Sequence, residues 1–252
     1  MANTYRADLE RASTQYAYVL NDLGITGGNI TVEGWITVED APTSGQSFAI
    51  FQQQDAGVSV SYDLYYENSA GTLRWNVERI KHAVANQNAQ FNVDLGTSCI
   101  HFAVVYDGTN LKLYTAPAAG THTERATVAA SGNGAATNND HFSIAVAQTA
   151  DSGTWTPDTA TPFDGTLDDI RVWNTNRSVA NLDDNFEKEL VGNETNLVAY
   201  YKLNNDWTDA TANAFNLTTN GTPTFLSTGL CFTGAAAAAG RFGSFLIMGV
   251  GT

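Results

Sequence analysis

The run Phe163-Asp164-Gly165-Thr166-Leu167-Asp168-Asp169-Ile170-Arg171-Val172-Trp173 decides the fold class, because apolar and polar side chains alternate along most of it. A period of two belongs to an extended strand, whose successive side chains point to opposite faces of a sheet. Regular alternation puts Asp168 with Ile170 and Val172, and Asp169 with Leu167, Arg171 and Trp173. One aspartate is therefore expected in apolar company. A buried carboxylate left unpaired costs several kcal/mol. Asp168 accordingly either meets a cation, an arginine or backbone N–H groups, or lies at the strand's start, solvated or bonded to a neighbouring loop.

Outward from this run the pattern repeats. The stretches Gln15 to Leu20, Asn29 to Val38, Ser47 to Phe51, Val58 to Tyr66 and Thr72 to Ile80 precede it, as do Ile100 to Tyr106, Leu111 to Tyr114 and His141 to Ala147; Asn196 to Leu203 follows. They alternate or are short apolar runs, punctuated by Gly, Asn, Asp and Thr. Many strands without interleaved helices imply an antiparallel sandwich or barrel. Asp107-Gly108-Thr109-Asn110 reads as a hairpin turn between two such runs. One helix is expected from Ser178 to Leu190, capped by Ser178 and with Val179, Leu182, Phe186 and Leu190 at helical spacing, as a lid on a sheet edge. Asp40 to Gly45, Ala116 to Thr137 and Gln148 to Pro162 read as loops, and long loops at the end of a sandwich are where binding resides.

The 252 residues are 43 % hydrophobic and 15 % charged, a composition that builds a core, and the length fits one large sandwich. Twelve basic against twenty-six acidic residues give a net charge of -14. That balance opposes phosphate-backbone binding, so nucleic acid and anionic membrane are excluded as expected partners. No basic region followed by an apolar stretch opens the chain, so no secretory signal is expected. The apolar tail from residue 230 to 252 is interrupted by Gly240 and Arg241 and is too short to span a bilayer. Cys99 and Cys231 are too few for a disulfide framework, and Cys99, in an apolar run, reads as a buried free thiol. The histidines His82, His101, His122 and His141 are scattered and form no zinc or triad spacing, and His101 and His141 read as structural.

Four segments in order carry a resemblance: Tyr5 to Arg11 (YRADLER), Ile30 to Val38 (ITVEGWITV), His101 to Tyr114 (HFAVVYDGTNLKLY) and Phe163 to Asn174 (FDGTLDDIRVWN). Asn193 to Asn204 (NETNLVAYYKLN) is similar to the strand that follows the late helix in the same family. Together they resemble the concanavalin A-like lectin/glucanase superfamily in its laminin G-like branch, of the type found in phage structural proteins. The resemblance covers residues 5 to about 228 and implies an all-β, two-sheet antiparallel β-sandwich, a jelly roll with one short helix; the domain is read as residues 1–229, and the apolar 230–252 tail or arm lies outside the resemblance. It also implies a structural calcium (Ca2+) in many members, whose aspartate falls on Asp168, with Asp8, Glu10 or Asp22 as further ligands.

Glycoside hydrolases of the superfamily carry two carboxylates about 5 to 9 Å apart. Their Glu-x-Asp-x-x-Glu pattern is absent here: Glu33 with Glu39, and Glu187 with Glu189, lack the intervening aspartate. No catalytic residue is assigned and no enzyme is expected. Aromatic rings stack on the apolar face of a sugar while polar groups bond its hydroxyls. Trp155, Tyr62, Tyr65, Tyr66 and Trp75 are candidates for that role, with Trp155 first because it lies in a loop. The expected function is a non-catalytic structural or adhesion protein at a virion or extracellular surface, meeting other copies of itself, neighbouring virion subunits or a cell-surface glycan. A free calcium-dependent lectin is the alternative, and a glucanase the third reading.

Overall fold

In the computed structural model, which describes residues 3–25, 28–55, 60–81, 87–130, 140–148 and 155–233, the opening segment is the strand Gly165–Trp173 at the centre of one sheet. In chain order the strands are β1 (Arg6–Leu9), β2 (Tyr16–Val19), β3 (Ile30–Val38), β4 (Ser47–Asp55), β5 (Val60–Ser69), β6 (Thr72–Lys81), β7 (Gln87–Asn92) and β8 (Ile100–Tyr106). They continue with β9 (Asn110–Pro117), β10 (Thr123–Ala129), β11 (His141–Ile144), β12 (Gly165–Trp173), β13 (Leu197–Tyr201), β14 (Thr218–Asn220) and β15 (Thr224–Leu226). Sheet A runs β10-β9-β8-β3-β12-β1-β15, and sheet B runs β14-β2-β11-β4-β5-β6-β7. In sheet A, β1 pairs with the first half of β12 and β13 with its second half, end to end on one side. All named strand pairs are antiparallel. The expected two-sheet sandwich with one short helix is the fold.

Between the sheets lies one apolar core, to which Val32, Phe102, Leu167, Ile170 and Val172 contribute from sheet A and Phe48, Phe51, Tyr62, Tyr66, Trp75 and Phe142 from sheet B. Tyr62, Tyr66 and Trp75, expected as candidates to hold a sugar, are thus packing residues. The long side chains occupy alternate positions, as the pleat demands.

Alternation fails at one place on β12. Trp35 pairs with Asp168 but Glu33 pairs with Arg171, so Gly34 opposes two residues of a β-bulge, and Asp169 takes φ 54°. A Cβ on Gly34 would collide with Ile170 Cδ1. The extra residue turns Ile170 and Val172 back into the core with Leu167, and the carboxylates of Asp168 and Asp169 leave it. The simple period-two assignment of Asp168 to the face of Ile170 is therefore corrected by the bulge.

Two further expectations change. The helix, α1, spans Val179–Asn185, shorter than the 178–190 span expected, with the Ser178 side chain accepting from the Asn181 N–H. It lies against Ala103, Val105 and Tyr114 through Leu182, covering a sheet face rather than an edge. Part of the expected loop from Ala116 to Thr137 is the edge strand β10, whose residues are mostly polar because one side meets solvent.

Cys99 and Cys231 form a disulfide with Cα atoms 5.3 Å apart, which replaces the free-thiol reading. The bond brings Phe232 against Trp35, whose ring stacks between Phe232 and Phe186 at centroid distances of 5.7 and 5.5 Å. Asn3 donates to the Phe232 carbonyl at 3.3 Å, so both ends of the described chain meet on sheet A. The arm beyond residue 233 lies outside the described residues. Among the described residues no helix is long and apolar enough to cross a membrane.

Candidate functional site

The outer face of sheet A is occupied by the protein itself. Arg171, wholly buried, pairs with Asp169, stands 3.7 Å from Glu33, and donates to the carbonyls of Asn185 and Lys188 at 3.0 and 2.5 Å. The Tyr200 hydroxyl donates to Asp169, Trp173 Nε1 donates to Glu33 at 2.9 Å, and the Arg177 guanidinium lies 3.9 Å from the Trp173 ring centroid. Nearby, His122 Nδ1 lies 2.7 Å from Asp183 of α1, and its Nε2 lies 2.8 Å from His101 Nδ1. Burial, then the neighbouring imidazole and two arginines, lower the pKa of His101, which keeps it neutral. These groups hold α1 and the segment after it on the sheet.

Asp168 belongs to this covered face and is 1 % exposed. Asn3 Nδ2 donates to its Oδ2 at 2.6 Å, while Oδ1 has no partner. Burial and the charge of Asp169 raise its pKa well above the ordinary value. Calcium takes six to eight converging oxygens. Around Asp168 stand an amide donor and the positive charge of Arg6, and the adjacent Asp169 is held by Arg171 and Tyr200. These residues do not fit the ion. Among the described residues, the acids that gather closely enough to share a cation are Asp8, Glu10 and Glu39, at the opposite end of β1, and Asp22 is elsewhere, its side chain capping the Gly24 N–H.

Sheet B is different. Its register puts Thr218, Tyr18, Ser143, Gln52, Asp63, Glu78 and Asn88 side by side in one row across seven strands. In β5, Tyr62, Leu64 and Tyr66 enter the core, so Ser61, Asp63 and Tyr65 face outward. The Trp155 ring stacks on Tyr18 at 5.2 Å and lies 4.5 Å from His141. His141 Nε2 and the Gln148 N–H both reach Gln52 Oε1, at 2.8 and 2.9 Å. Gln52 in turn hydrogen-bonds Asp63. Trp155 and Tyr65 thus share one face, with a bonded polar row beside them.

Asp63 is the unusual member. It is 0 % exposed, and its Oδ1 has no hydrogen-bond partner. Ser61 Oγ approaches its Oδ2 at 3.4 Å, and Glu78 is its direct neighbour across the strands. Burial first, then the charge of Glu78, raise its pKa well above the ordinary aspartate value. Glu78, whose pKa is also raised by burial, accepts from Asn76 Nδ2 at 2.7 Å. Because the folded chain holds the Asp63 proton more tightly than the unfolded chain, Asp63 stabilises the fold most at low pH. That contribution is lost as pH climbs from the unfolded aspartate value through the raised folded one. The Asp63→Asn variant, isosteric with the neutral acid, is expected to gain melting temperature relative to the parent as pH rises from 4 to 8, within roughly the few degrees that 1 kcal/mol represents. Parallel melting curves over that range would refute the assignment.

Sequence reading reached Trp155 and Tyr65 but missed Asp63, Gln52 and Glu78. The signal was present: in Ser61-Tyr62-Asp63-Leu64-Tyr65-Tyr66, period two separates the polar residues Ser61 and Asp63 from the apolar-packing residues Tyr62 and Leu64.

Two antiparallel sheets packed on one apolar core, one covered outside by α1 and the segment after it and the other carrying a polar row, buried at its centre, beside Trp155 and Tyr18, define a lectin-type sandwich. A family model described as the concanavalin A-like lectin/glucanases superfamily matches residues 11–183, and the chain belongs to that superfamily. No curated protein sequence matches the chain significantly. Among solved structures, it is similar to a Bacteroides ovatus protein provisionally described as carbohydrate binding, at 19 % identity and TM-score 0.60, over 90 % of this chain and 60 % of that one. It is also similar to full-length tailspike protein 2 of the Escherichia coli O157:H7 bacteriophage CAB120, at 11 % identity and TM-score 0.51, over 78 % of this chain and 26 % of that one. The chain therefore spans less than two thirds of either structure, and at these identities the likeness is one of fold.

Proposed function

We propose that the chain is a non-catalytic glycan-binding adhesion module of the kind carried at a virion or other extracellular surface, and that its ligand lies on the outer face of sheet B. The observation that carries this reading is Trp155, held by Tyr18 and His141 next to a continuous polar row. A flat ring beside preorganised donors and acceptors matches the two-sided chemistry of a sugar. The similarity to a protein described as carbohydrate binding supports it, as does the presence of the same fold inside a phage tailspike. The Cys99–Cys231 bond supports an oxidising setting.

The carboxylates support a binding role over hydrolysis. Hydrolysis needs two carboxyl groups that both reach the glycosidic bond. Glu33 is buried on the opposite face with Trp173 and Arg171, Glu39 lies at the rim, and Asp63 is fully covered although Glu78 is beside it. On a glycan array followed by calorimetry, the parent is expected to bind, and Trp155→Ala to lose about tenfold or more in affinity. A parent that binds no glycan, or a Trp155→Ala variant that binds as the parent does, sinks the reading.

A further inference from the structure

At the end of the sandwich where the chain crosses from β1 to β2, a cleft of about 770 Å³ opens between Arg11, the start of β4 and the loop residues Thr159 to Pro162. Its floor includes Phe48, with the Arg11 guanidinium 5.5 Å above the ring centroid. Arg11 Nη1 donates to Gln46 Oε1 at 2.9 Å, and the Thr43 N–H donates to the same oxygen at 3.0 Å. Gln46, fixed through this oxygen, lines the cleft beside Arg11. Thr159 adds a hydroxyl to the lining, Ser47 adds one that donates to Glu67 at 3.3 Å, and Pro162 adds an apolar wall. An apolar floor with a few converging donors and acceptors is the composition of a small-molecule site.

The cleft is continuous with the face that holds Trp155. Ser47 lines it and also pairs with Glu67 on β5, two strand positions beyond Tyr65 and four beyond Asp63 on the outer side of sheet B. The loop that begins at Trp155 ends in the cleft, and the Ala49 N–H donates to Thr161 at 3.0 Å, holding that loop along β4. From Gln52 to Ser47 is five residues of strand, roughly 16 Å, which is longer than one sugar ring. Charge narrows the ligand further. Asp164 lies 3.7 Å from Arg11 Nε and offsets its charge, and Asp8, Glu10 and Glu39 cluster beside it. An anionic sugar would meet carboxylates, so the chemistry selects a neutral one.

We infer that this cleft is a second subsite for the same ligand, so that the chain binds a neutral oligosaccharide of several units running from Trp155 to Arg11. The inference rests on the proposed glycan-binding role. Calorimetry with neutral ladders from one to six units (gluco-, xylo- and arabino-oligosaccharides) tests it on the parent, Trp155→Ala, Arg11→Ala and the cleft-filling Thr159→Trp, each checked for an unchanged melting temperature. The expected result is affinity that rises with chain length, and a loss of about fivefold or more for the six-unit ligand in Arg11→Ala and Thr159→Trp with one- and two-unit binding unchanged. A six-unit galacturonate, being anionic, is expected to bind more weakly than the best neutral ladder. Length-independent affinity, cleft variants that bind the six-unit ligand as the parent does, or equal binding of galacturonate overturns the inference while leaving the role of Trp155 intact. No binding to any ladder overturns this inference, whereas no binding on the glycan array overturns the proposed role itself.

Discussion

Replacing Arg171 by methionine is expected to destabilise the fold by about 3 to 5 kcal/mol, the cost of removing one partner from a buried ionic group. The guanidinium is fully buried and answers Asp169 and Glu33, neither of which reaches solvent. It also satisfies the carbonyls of Asn185 and Lys188 just after α1, so its loss takes a partner from four groups across three segments, although Tyr200 still serves Asp169 and Trp173 still serves Glu33. Methionine keeps apolar bulk, which confines the effect to charge and hydrogen bonding. For a chain of this size the melting temperature should fall by roughly 6 to 20 °C in thermal circular dichroism. The deficit should shrink on acidification, because Asp169, pushed up to about 6 by burial against the opposing pull of Arg171, becomes neutral below that pH. A loss below about 1 kcal/mol, or a deficit that grows in acid, would contradict this account.

Breaking the Cys99–Cys231 bond is expected to cost about 2 to 5 kcal/mol, since the bond closes a long loop in the unfolded chain and holds Phe232 on Trp35. The Cys99→Ser and Cys231→Ser variants should melt at the same lowered temperature as the parent in reductant, with altered tryptophan fluorescence from Trp35. A parent shown by mass to be reduced, yet melting as the oxidised protein does, would overturn this. Thr37 Oγ1, 3.4 Å from Cys99 Sγ and 3.6 Å from Cys231 Sγ, packs against both sulfurs, so the site is built around the bond and not merely crossed by it.

The sandwich class, the long strands and the helix cap were legible because each depends on residues near one another in the chain, whereas short strands such as β1, β7 and β10 and all pairing between strands were not. Ser178 and the alternation of β3 and β12 are examples. The bulge at Asp169 was not, because it is set by Gly34, far away in sequence, whose missing side chain admits Ile170. The disulfide joins residues 132 positions apart, and no local pattern announces such a pair. Trp155 stood out as a large ring in a polar loop, but the polar row beside it arises only when β11, β4, β5 and β6 align, and register between strands is a tertiary property. Asp168 drew attention as a metal ligand because a carboxylate in a core strand needs a partner; Asn3, near the start of the chain, supplies it.

Asn3 meets Phe232 on the side of the sandwich that α1 also covers, whereas Trp155 and Asp63 belong to the other sheet. The two ends of the described chain thus lie on one side of the sandwich and the proposed sugar platform on the other. The circuit from Asn3 round to Phe232 closes away from that platform, so a ligand on sheet B would meet neither end of the described chain.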